Sequence, residues 1–401
     1  MKEKQNGKMP YAFVMYPALI TLMIYVFAYH LAYPFSSTIF LYIAFANATL
    51  YLFLKRKIFV NSQVFAMLLI VLVSLCGLLY TDNFEGGVRE SILNCVMLVI
   101  LITVTQDNVL PHKIRKMIFV FSIVVLAGVL LQYALRDSFN VFMQNIFRSD
   151  CYESFIWSYT TDKAYAGFSA YTADAAYFCA VLFGFVVFDS FRDGKKHSAI
   201  FKILCIAIAL LCIFAIILTS KRGLIIALSV SFLISYMISK KVSLKTIIST
   251  CTIIAISYVI LLFLQKNNEI IGHFLERFNS SGDRDITTGR TEMWAIALNN
   301  MTNVIFGMGT GSAYTLFSNG LHNIYLQLLY DHGIIGLLIY AHFFICNLTS
   351  AIKRNDPGSI YIQMVMLLYG ISGNPIYSNS FFIIYIIYSS APKQITKKNG
   401  S

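Results

Sequence analysis

Residues 198–241 read SAIFKILCIAIALLCIFAIILTSKRGLIIALSVSFLISYMISKK. This stretch decides the fold class because it holds two long apolar runs, 199–219 and 223–239, with only the polar residues 220–222 between them. A helix that crosses the hydrocarbon core of a bilayer needs roughly 20 apolar residues. The two runs are therefore predicted to be neighbouring membrane-spanning helices joined by a very short turn.

The composition of the whole chain extends this prediction. Of the 401 residues, 58% are hydrophobic and only 12% are charged, whereas soluble proteins carry roughly 25% charged residues. The net charge of +12 is spread in short basic clusters between the apolar runs. Such clusters are typical of anchors beside anionic lipid, not of the basic stripe that binds nucleic acid. We therefore predict an all-α integral membrane protein that does not bind nucleic acid.

About twelve transmembrane helices are predicted, within a single polytopic membrane domain formed by residues 1–401. No internal repeat, low-complexity tract or long linker divides the chain. Three runs, 91–105, 359–371 and 380–391, are short, so their ends are poorly defined by sequence. The predicted spans are 11–29, 36–54, 60–80, 91–105, 117–135, 166–190, 199–219, 223–239, 246–264, 333–350, 359–371 and 380–391.

The basic residues predict the orientation of these spans. With Met1 placed inside, 21 of the 31 Lys and Arg residues fall on the inner side, as the positive-inside rule requires. Both termini are then cytoplasmic, and the long connections 136–165 and 265–332 face outward. The second connection contains two stretches with apolar residues at helical spacing, 268–278 and 291–306. These are expected to be amphipathic helices that either lie on the membrane surface or cap the helix bundle.

The cysteines give no sign of a disulfide framework or a metal site. Seven of the eight lie within apolar runs, only Cys151 falls in an outer connection, and no CxxC spacing occurs.

The first run, 11–29, is long and has no clear small-residue cleavage site, so we predict that it is retained as a span.

The polar turn in the opening stretch is Ser220-Lys221-Arg222-Gly223. The predicted orientation puts its two cations at the outer membrane boundary, where adjacent charges are costly unless an anion meets them. An arginine fork binds two phosphate oxygens at once. The alternative is that Lys221 and Arg222 are boundary anchors whose charges reach water.

A second polar motif is TTGRTEMW, residues 287–294. Thr288 or Thr291 could begin the following helix, and an anion could bind the unpaired N–H groups of its first turn. Arg290 would add a formal charge to that site. The alternative is an ordinary capped surface helix.

The third motif is LHNIYL, residues 321–326, followed by DHGIIG at 331–336. His322 lies where a polar connection meets an apolar helix, so its pKa could be tuned for proton transfer. The alternative role is a helix cap or an interface residue. The three glycines of FGMGTGSAY, 306–314, are predicted to form a flexible connection between the motifs, because no strand pattern of a dinucleotide site flanks them.

Asp174 is the one acidic residue placed well inside a predicted span. An acid within the membrane is a candidate functional residue by default. It shares a helical face with Tyr171 and Tyr177. Asp174 could equally be the partner of a boundary arginine such as Arg222.

Taken together and in this order, the motifs resemble those of the membrane superfamily of O-antigen polymerases (Wzy) and O-antigen ligases (WaaL). The resemblance covers about 217–345 closely and the rest only through the number of spans. Lys221 departs from the pattern, which commonly has a small residue there. The matching features are Thr219-Ser220-x-Arg222-Gly223, Gly289-Arg290-x-x-x-Trp294, Gly307-x-Gly309, and His322-Asn323 followed after nine residues by Gly333-x-x-Gly336.

The resemblance implies glycan transfer on the periplasmic face of the bacterial inner membrane, from an oligosaccharide on undecaprenyl diphosphate. Membrane lipid and a chain-length regulator protein are the other implied partners, and no cofactor or metal is required. By motif position, His322 is the candidate base, and Arg222, Arg290 and Lys221 are candidates for binding the donor diphosphate. The supporting candidates are Asn323, Asp174 and Tyr325.

The acceptor distinguishes the two activities of this superfamily. It is another lipid-linked repeat unit for a polymerase of O-antigen or capsule, and the lipid A core for a ligase. The TGRTEMW and FGMG stretches look more polymerase-like, although the R-x10-G motif attributed to some polymerases occurs at no arginine here. We favour the polymerase. A twelve-span secondary transporter would show two matching halves and binding groups at mid-membrane, which this asymmetric sequence lacks.

Overall fold

A computed structural model describes residues 12–32, 38–55, 58–106, 110–191, 198–239 and 289–390. These ranges are all-helical, as predicted, and contain no strand beyond one isolated bridge between Leu31 and Phe147. The helices are α1 (Ala12–Ala28), α2 (Thr38–Lys55), α3 (Ser62–Gly77), α4 (Phe84–Thr105), α5 (Leu110–Leu135), α6 (Asp137–Gln144), α7 (Ser149–Asp162), α8 (Thr172–Val187), α9 (Ala199–Leu218), α10 (Arg222–Ser239), α11 (Arg290–Asn299), α12 (Ala313–Leu316), α13 (Ile324–Lys353), α14 (Pro357–Tyr369) and α15 (Asn379–Ser389). Short 3-10 turns lie at Gly167–Ser169, Asp189–Phe191 and Pro375–Tyr377.

Five of these helices are long and apolar enough to cross a membrane by length and composition: α2, α4, α5, α9 and α13. Six shorter apolar helices accompany them, namely α1, α3, α8, α10, α14 and α15. The total of twelve spans stays a prediction, since the run at 246–264 and the predicted helix at 268–278 lie outside the described residues. On α9, Ile200, Ile203 and Ile206 are exposed, as expected of a helix whose outer side faces lipid.

Several predicted boundaries are wrong: α5 begins at Leu110 and α8 at Thr172, and not at 117 and 166. The run 91–105 belongs to α4, which begins earlier because the Asn83 side chain accepts a hydrogen bond from the Gly86 amide. The span predicted at 333–350 belongs to α13, which begins at Ile324 behind its cap, Asn323. The helix predicted over 291–306 ends at Asn299.

The short run at 380–391 proves to be the centre of the bundle. Every side chain from Phe381 to Tyr388 on α15 is buried, and α15 contacts α4, α5, α13 and α14. A helix that is hydrophobic all round belongs in the interior. Around it, α1 packs on α2, α3 on α4 and α13, α8 on α5 and α9, and α10 on α14.

One end of the bundle, called here the clamp end, is held by a buried arginine. Arg115 on α5 donates to Ser359 Oγ at 2.6 Å and to the Tyr388 carbonyl at 3.1 Å. Its guanidinium also pairs with Asp356 at 3.2 Å and with Asp189 at 4.0 Å. A buried cation requires such partners. This network joins α5, α14 and α15 at the end predicted to be cytoplasmic.

The opposite end, called here the site end, carries α11, α12 and the glycine-rich connection. The prediction of a flexible connection at 306–314 is wrong. Gly307 and Gly309 have positive φ, and their amides donate to the Asn303 and Asp331 carbonyls at 2.9 and 3.0 Å. A Cβ on Gly307 would lie 2.5 Å from the Gly333 nitrogen. The connection is therefore packed against α13, with little freedom to move.

A kink in α13 explains this close approach. Gly333 has φ 64° and ψ −168°, which interrupts the helix. The amides of Ile334 and Ile335 then donate to the Val304 and Ile305 carbonyls at 3.0 and 3.3 Å. The connection before α13 thus supplies acceptors that the broken helix cannot supply, as buried backbone amides require.

Candidate functional site

The turn between α9 and α10 positions Lys221 and Arg222 at the site end. Helix α9 ends at Leu218, and Ser220 adopts a left-handed conformation with φ 57°, after which α10 begins at Arg222. The Leu218 carbonyl accepts a hydrogen bond from the Tyr165 amide at 2.9 Å. Both cations are partly buried.

Ser372, in the turn after α14, links the first two motifs. Arg290, the first residue of α11, donates from Nη1 to the Ser372 carbonyl at 2.8 Å. On its other side, a Cβ added to Gly223 would lie 2.3 Å from Ser372 Oγ, so only glycine fits there. The turn therefore holds the first residues of α10 and α11 close to one another.

The start of α11 differs from the sequence prediction. Gly289, with φ 81°, occupies the position before the helix, and no side chain caps it. Thr291 is inside the first turn, and Thr288 lies outside the described residues. The left-handed conformation at Gly289 takes the place of a threonine cap.

His322 is fixed from both sides of its backbone. On one side, Trp294 Nε1 donates to the Leu321 carbonyl at 2.7 Å. On the other, Asn323 caps α13 by accepting from the Tyr325 and Leu326 amides at 3.0 and 3.1 Å. Asn323, and not His322, is thus the helix cap, which removes one of the two structural explanations for the histidine. His322 itself has φ 50°, a strained conformation that non-glycine residues hold only when their surroundings enforce it.

The electrostatics of His322 show that the three motifs converge. Burial lowers the pKa of His322 below its ordinary value, and the positive charges of Arg290 and Lys221 lower it further. A histidine with a lowered pKa is neutral near pH 7 and can accept a proton. The site therefore combines a neutral imidazole with at least two nearby cations, which suits proton removal beside an anion.

The supporting candidates occupy two different places. Asp174, buried in the first turn of α8, accepts hydrogen bonds from the Tyr29 hydroxyl and from Ser380, and it interacts electrostatically with Lys221. It therefore lies at the edge of the cationic site. Tyr325 instead donates its hydroxyl to the Leu367 carbonyl at 2.7 Å and ties α13 to α14.

Three residues contact these candidates although the sequence did not predict the contacts: Ser372, Tyr29 and Trp294. Trp294 was visible only as part of a motif, whereas Ser372 and Tyr29 lie far from every motif in sequence. Their contacts depend on the tertiary packing of α1 and α14. Within the described residues, no group of three or more His, Cys, Asp or Glu side chains is placed to hold a metal ion.

Comparison with known proteins bears on this arrangement directly. Residues 207–341 match the family model Wzy_C, described as O-Antigen ligase. Through this segment, the chain resembles the O-antigen polymerase and ligase superfamily. No curated protein matches the chain. The match spans about a third of the chain and contains Lys221, Arg222, Arg290 and His322. At the family level it supports glycan transfer of the ligase and polymerase type in lipopolysaccharide biosynthesis.

Proposed function

We propose that this protein transfers a glycan from undecaprenyl diphosphate to an acceptor hydroxyl on the periplasmic face of the inner membrane. The observation that carries the proposal is the convergence of His322, Arg290 and Lys221 at one end of the bundle. These residues come from three separate elements, and Ser372 links two of those elements. Cationic side chains placed together in this way can bind the phosphate oxygens of the donor.

In the proposed reaction, the acceptor hydroxyl oxygen bonds to the anomeric carbon of the donor glycan. The bond between that carbon and the diphosphate oxygen breaks, and its electron pair leaves with undecaprenyl diphosphate. The hydroxyl proton passes to Nδ1 or Nε2 of His322. The negative charge that builds on the diphosphate is stabilised by Arg290, Arg222 and Lys221. The donor carries its own leaving group, so neither a nucleotide nor an energy source is required.

We further propose a metal-independent reaction, because three cationic side chains can take the place of a divalent ion at the leaving group. The purified protein should transfer glycan at the same rate in EDTA as in MgCl2. A strict requirement for a divalent ion would overturn this part of the proposal.

The experiment that tests the proposal replaces His322. We expect His322→Ala to abolish long glycan chains on a gel while the protein still accumulates in the membrane. His322→Asn should fail as completely, because asparagine tolerates the positive φ of this position but cannot accept the proton. His342→Ala is the matched control, since His342 is exposed on the same helix, beyond the kink. Full rescue by asparagine would contradict the role of His322 as a base.

The same gel separates the polymerase, which we favour, from the ligase. Loss of a polymerase leaves the lipid A core with a single repeat unit. Loss of a ligase leaves the core bare while polymer accumulates on the lipid carrier. The preference for the polymerase rests on the TGRTEMW and FGMG stretches, and a chain-length regulator protein would then be its partner.

A further inference from the structure

A polar cavity lies at the site end, beside the connection that carries His322. Its volume is about 350 Å³, which is within the range of small-molecule binding sites. One wall is the first half of α4, and the other comes from the segments before α13 and after α14. The lining residues are Asn83, Gly86, Arg89, Glu90, Leu93, Tyr314, Ser318 and Tyr377.

Glu90 is the residue that marks this cavity as a binding site. Its side chain is only 10% exposed, and neither carboxylate oxygen accepts a hydrogen bond from the residues that the structure describes. His332 Nε2 lies 3.4 Å from Oε1, but the two atoms are not aligned for a hydrogen bond. A buried carboxylate without hydrogen bonds is costly. Hydroxyl groups of a ligand in the cavity would satisfy it.

The remaining walls suit a sugar. Tyr314 and Tyr377 meet edge to face, with ring centroids 6.3 Å apart, and offer apolar ring surface. Their hydroxyl groups bind within the protein, Tyr377 to Asp331 at 3.4 Å and Tyr314 to Gln327. Ser318 and Arg89 lie at the exposed rim. A carbohydrate presents C–H surfaces to aromatic rings and hydroxyl pairs to carboxylates, so its two kinds of surface match these two kinds of wall.

Two chain segments connect the cavity to the cationic site. The segment 318–322 begins at the cavity rim and ends at His322. The segment 372–377 begins at Ser372, which binds Arg290, and ends at Tyr377 in the cavity wall. A ligand bound in the cavity would thus be linked to both His322 and Arg290 by short chain segments.

The charges of the two regions assign different ligands to them. Lys221, Arg222 and Arg290 attract the donor diphosphate. In the cavity wall, the charge of Glu90 acts on the buried Asp331. The Glu90 carboxylate disfavours a phosphate and favours hydroxyl groups.

We propose that the cavity binds the terminal sugar of the acceptor glycan, with Glu90 accepting hydrogen bonds from its hydroxyl groups. This inference rests on the proposed function. It adds a positioning site that orients the acceptor hydroxyl toward His322, so Glu90 contributes to acceptor binding and not to proton transfer.

The test measures binding of two probes to the purified full-length protein. The first probe is the host's oligosaccharide repeat unit released from its carrier, which lacks the diphosphate. The second is undecaprenyl diphosphate. We expect Glu90→Ala to weaken binding of the oligosaccharide by at least about tenfold, with a smaller loss for Glu90→Gln. Binding of undecaprenyl diphosphate should not change, which also shows that the variants fold.

Two further variants sharpen the test. Ser318→Trp should block the oligosaccharide from the cavity rim without removing any acidic group. Glu85→Gln is the matched control, because Glu85 is exposed on the first turn of the same helix and does not line the cavity. Glu85→Gln should bind both probes as the unmodified protein does.

The outcomes distinguish this inference from the proposed function. Normal oligosaccharide binding by Glu90→Ala and Ser318→Trp, in a protein that transfers glycan, would overturn the acceptor site and leave the function intact. Failure of the unmodified protein to bind undecaprenyl diphosphate or to transfer glycan would overturn the function, and the inference with it.

Discussion

At the scale of single residues, the cationic site depends on the shape of its side chains as well as on their charge. Arg290 uses one nitrogen of its guanidinium to bind the Ser372 carbonyl. A lysine would keep the charge but would lose the planar fork that can bind the turn and a phosphate oxygen together.

Arg290→Lys and Arg222→Lys should therefore each lower the transfer rate at unchanged protein level, by up to about a hundredfold, since removal of one such donor typically costs 10²–10³ in rate. The measurement is the rate of glycan transfer by purified protein. Arg136→Lys is the control, because Arg136 is an exposed arginine of the site end. Full activity in both variants would make these arginines membrane anchors.

Lys221 should act through the pKa of His322. The positive charge of Lys221 disfavours the imidazolium form and so lowers the pKa of His322. Lys221→Gln removes that charge, so the pKa rises and less of the histidine is neutral at a given pH. The acid limb of the pH–rate profile should move to higher pH. Lys163→Gln, at an exposed lysine of the same end, should leave the limb in place. If the acid limb of the pH–rate profile does not move in Lys221→Gln, the result contradicts the role of His322 as the base.

At the scale of elements, α13 connects the site to the membrane core. Its first turns carry Asn323 and lie beside His322, its kink at Gly333 receives the glycine-rich connection, and its second half packs on α3. The position of His322 is therefore coupled to the packing at the kink.

Gly333→Ala should destabilise this element strongly. A Cβ at Gly333 would lie 2.2 Å from the Ile305 carbonyl oxygen, and the backbone has positive φ. Gly289→Ala is the matched control, because Gly289 has positive φ but open space around it. We expect a loss of about 1–2 kcal/mol for Gly289→Ala from backbone strain alone, and a clearly larger loss for Gly333→Ala. Thermal unfolding in detergent measures both, and equal losses would contradict the close packing at the kink.

The sequence predicted the elements better than their ends. The sequence predicted the polar junction at Lys221 and Arg222 and the presence of a helix after Gly289, because the residues that decide them are local. The kink at Gly333 was not, since it depends on acceptors from Val304 and Ile305, about thirty residues earlier. The contacts of Ser372 and the place of Glu90 in the cavity could not be predicted for the same reason. Single serines and glutamates at the ends of apolar runs are common, and only tertiary packing places them beside a site.

At the scale of the whole molecule, the two ends of the bundle have different construction. The clamp end is closed by Arg115 and its carboxylate partners, whereas the site end holds the candidate catalytic residues and the polar cavity. The asymmetry matches the expectation of a cytoplasmic face and a periplasmic face, and the orientation itself stays a prediction.

Single cysteines test that orientation. Ser318→Cys at the site end should react with an impermeant thiol reagent in intact spheroplasts, and Lys353→Cys at the clamp end should react only after membrane disruption. Both positions are exposed. Cys151 is fully buried, so it should contribute little background labelling. The reverse pattern would place the site in the cytoplasm and contradict the proposed mechanism.

The close backbone packing of the glycines limits where this protein can evolve. Gly307, Gly309 and Gly333 tolerate almost no side chain, whereas Arg89 and Ser318 at the cavity rim face open space. Mutations that alter the rim would leave the scaffold and the proposed base, His322, in place. With the proposed function, a lineage could therefore adapt to a new acceptor sugar by changing a few exposed residues, without rebuilding the site end.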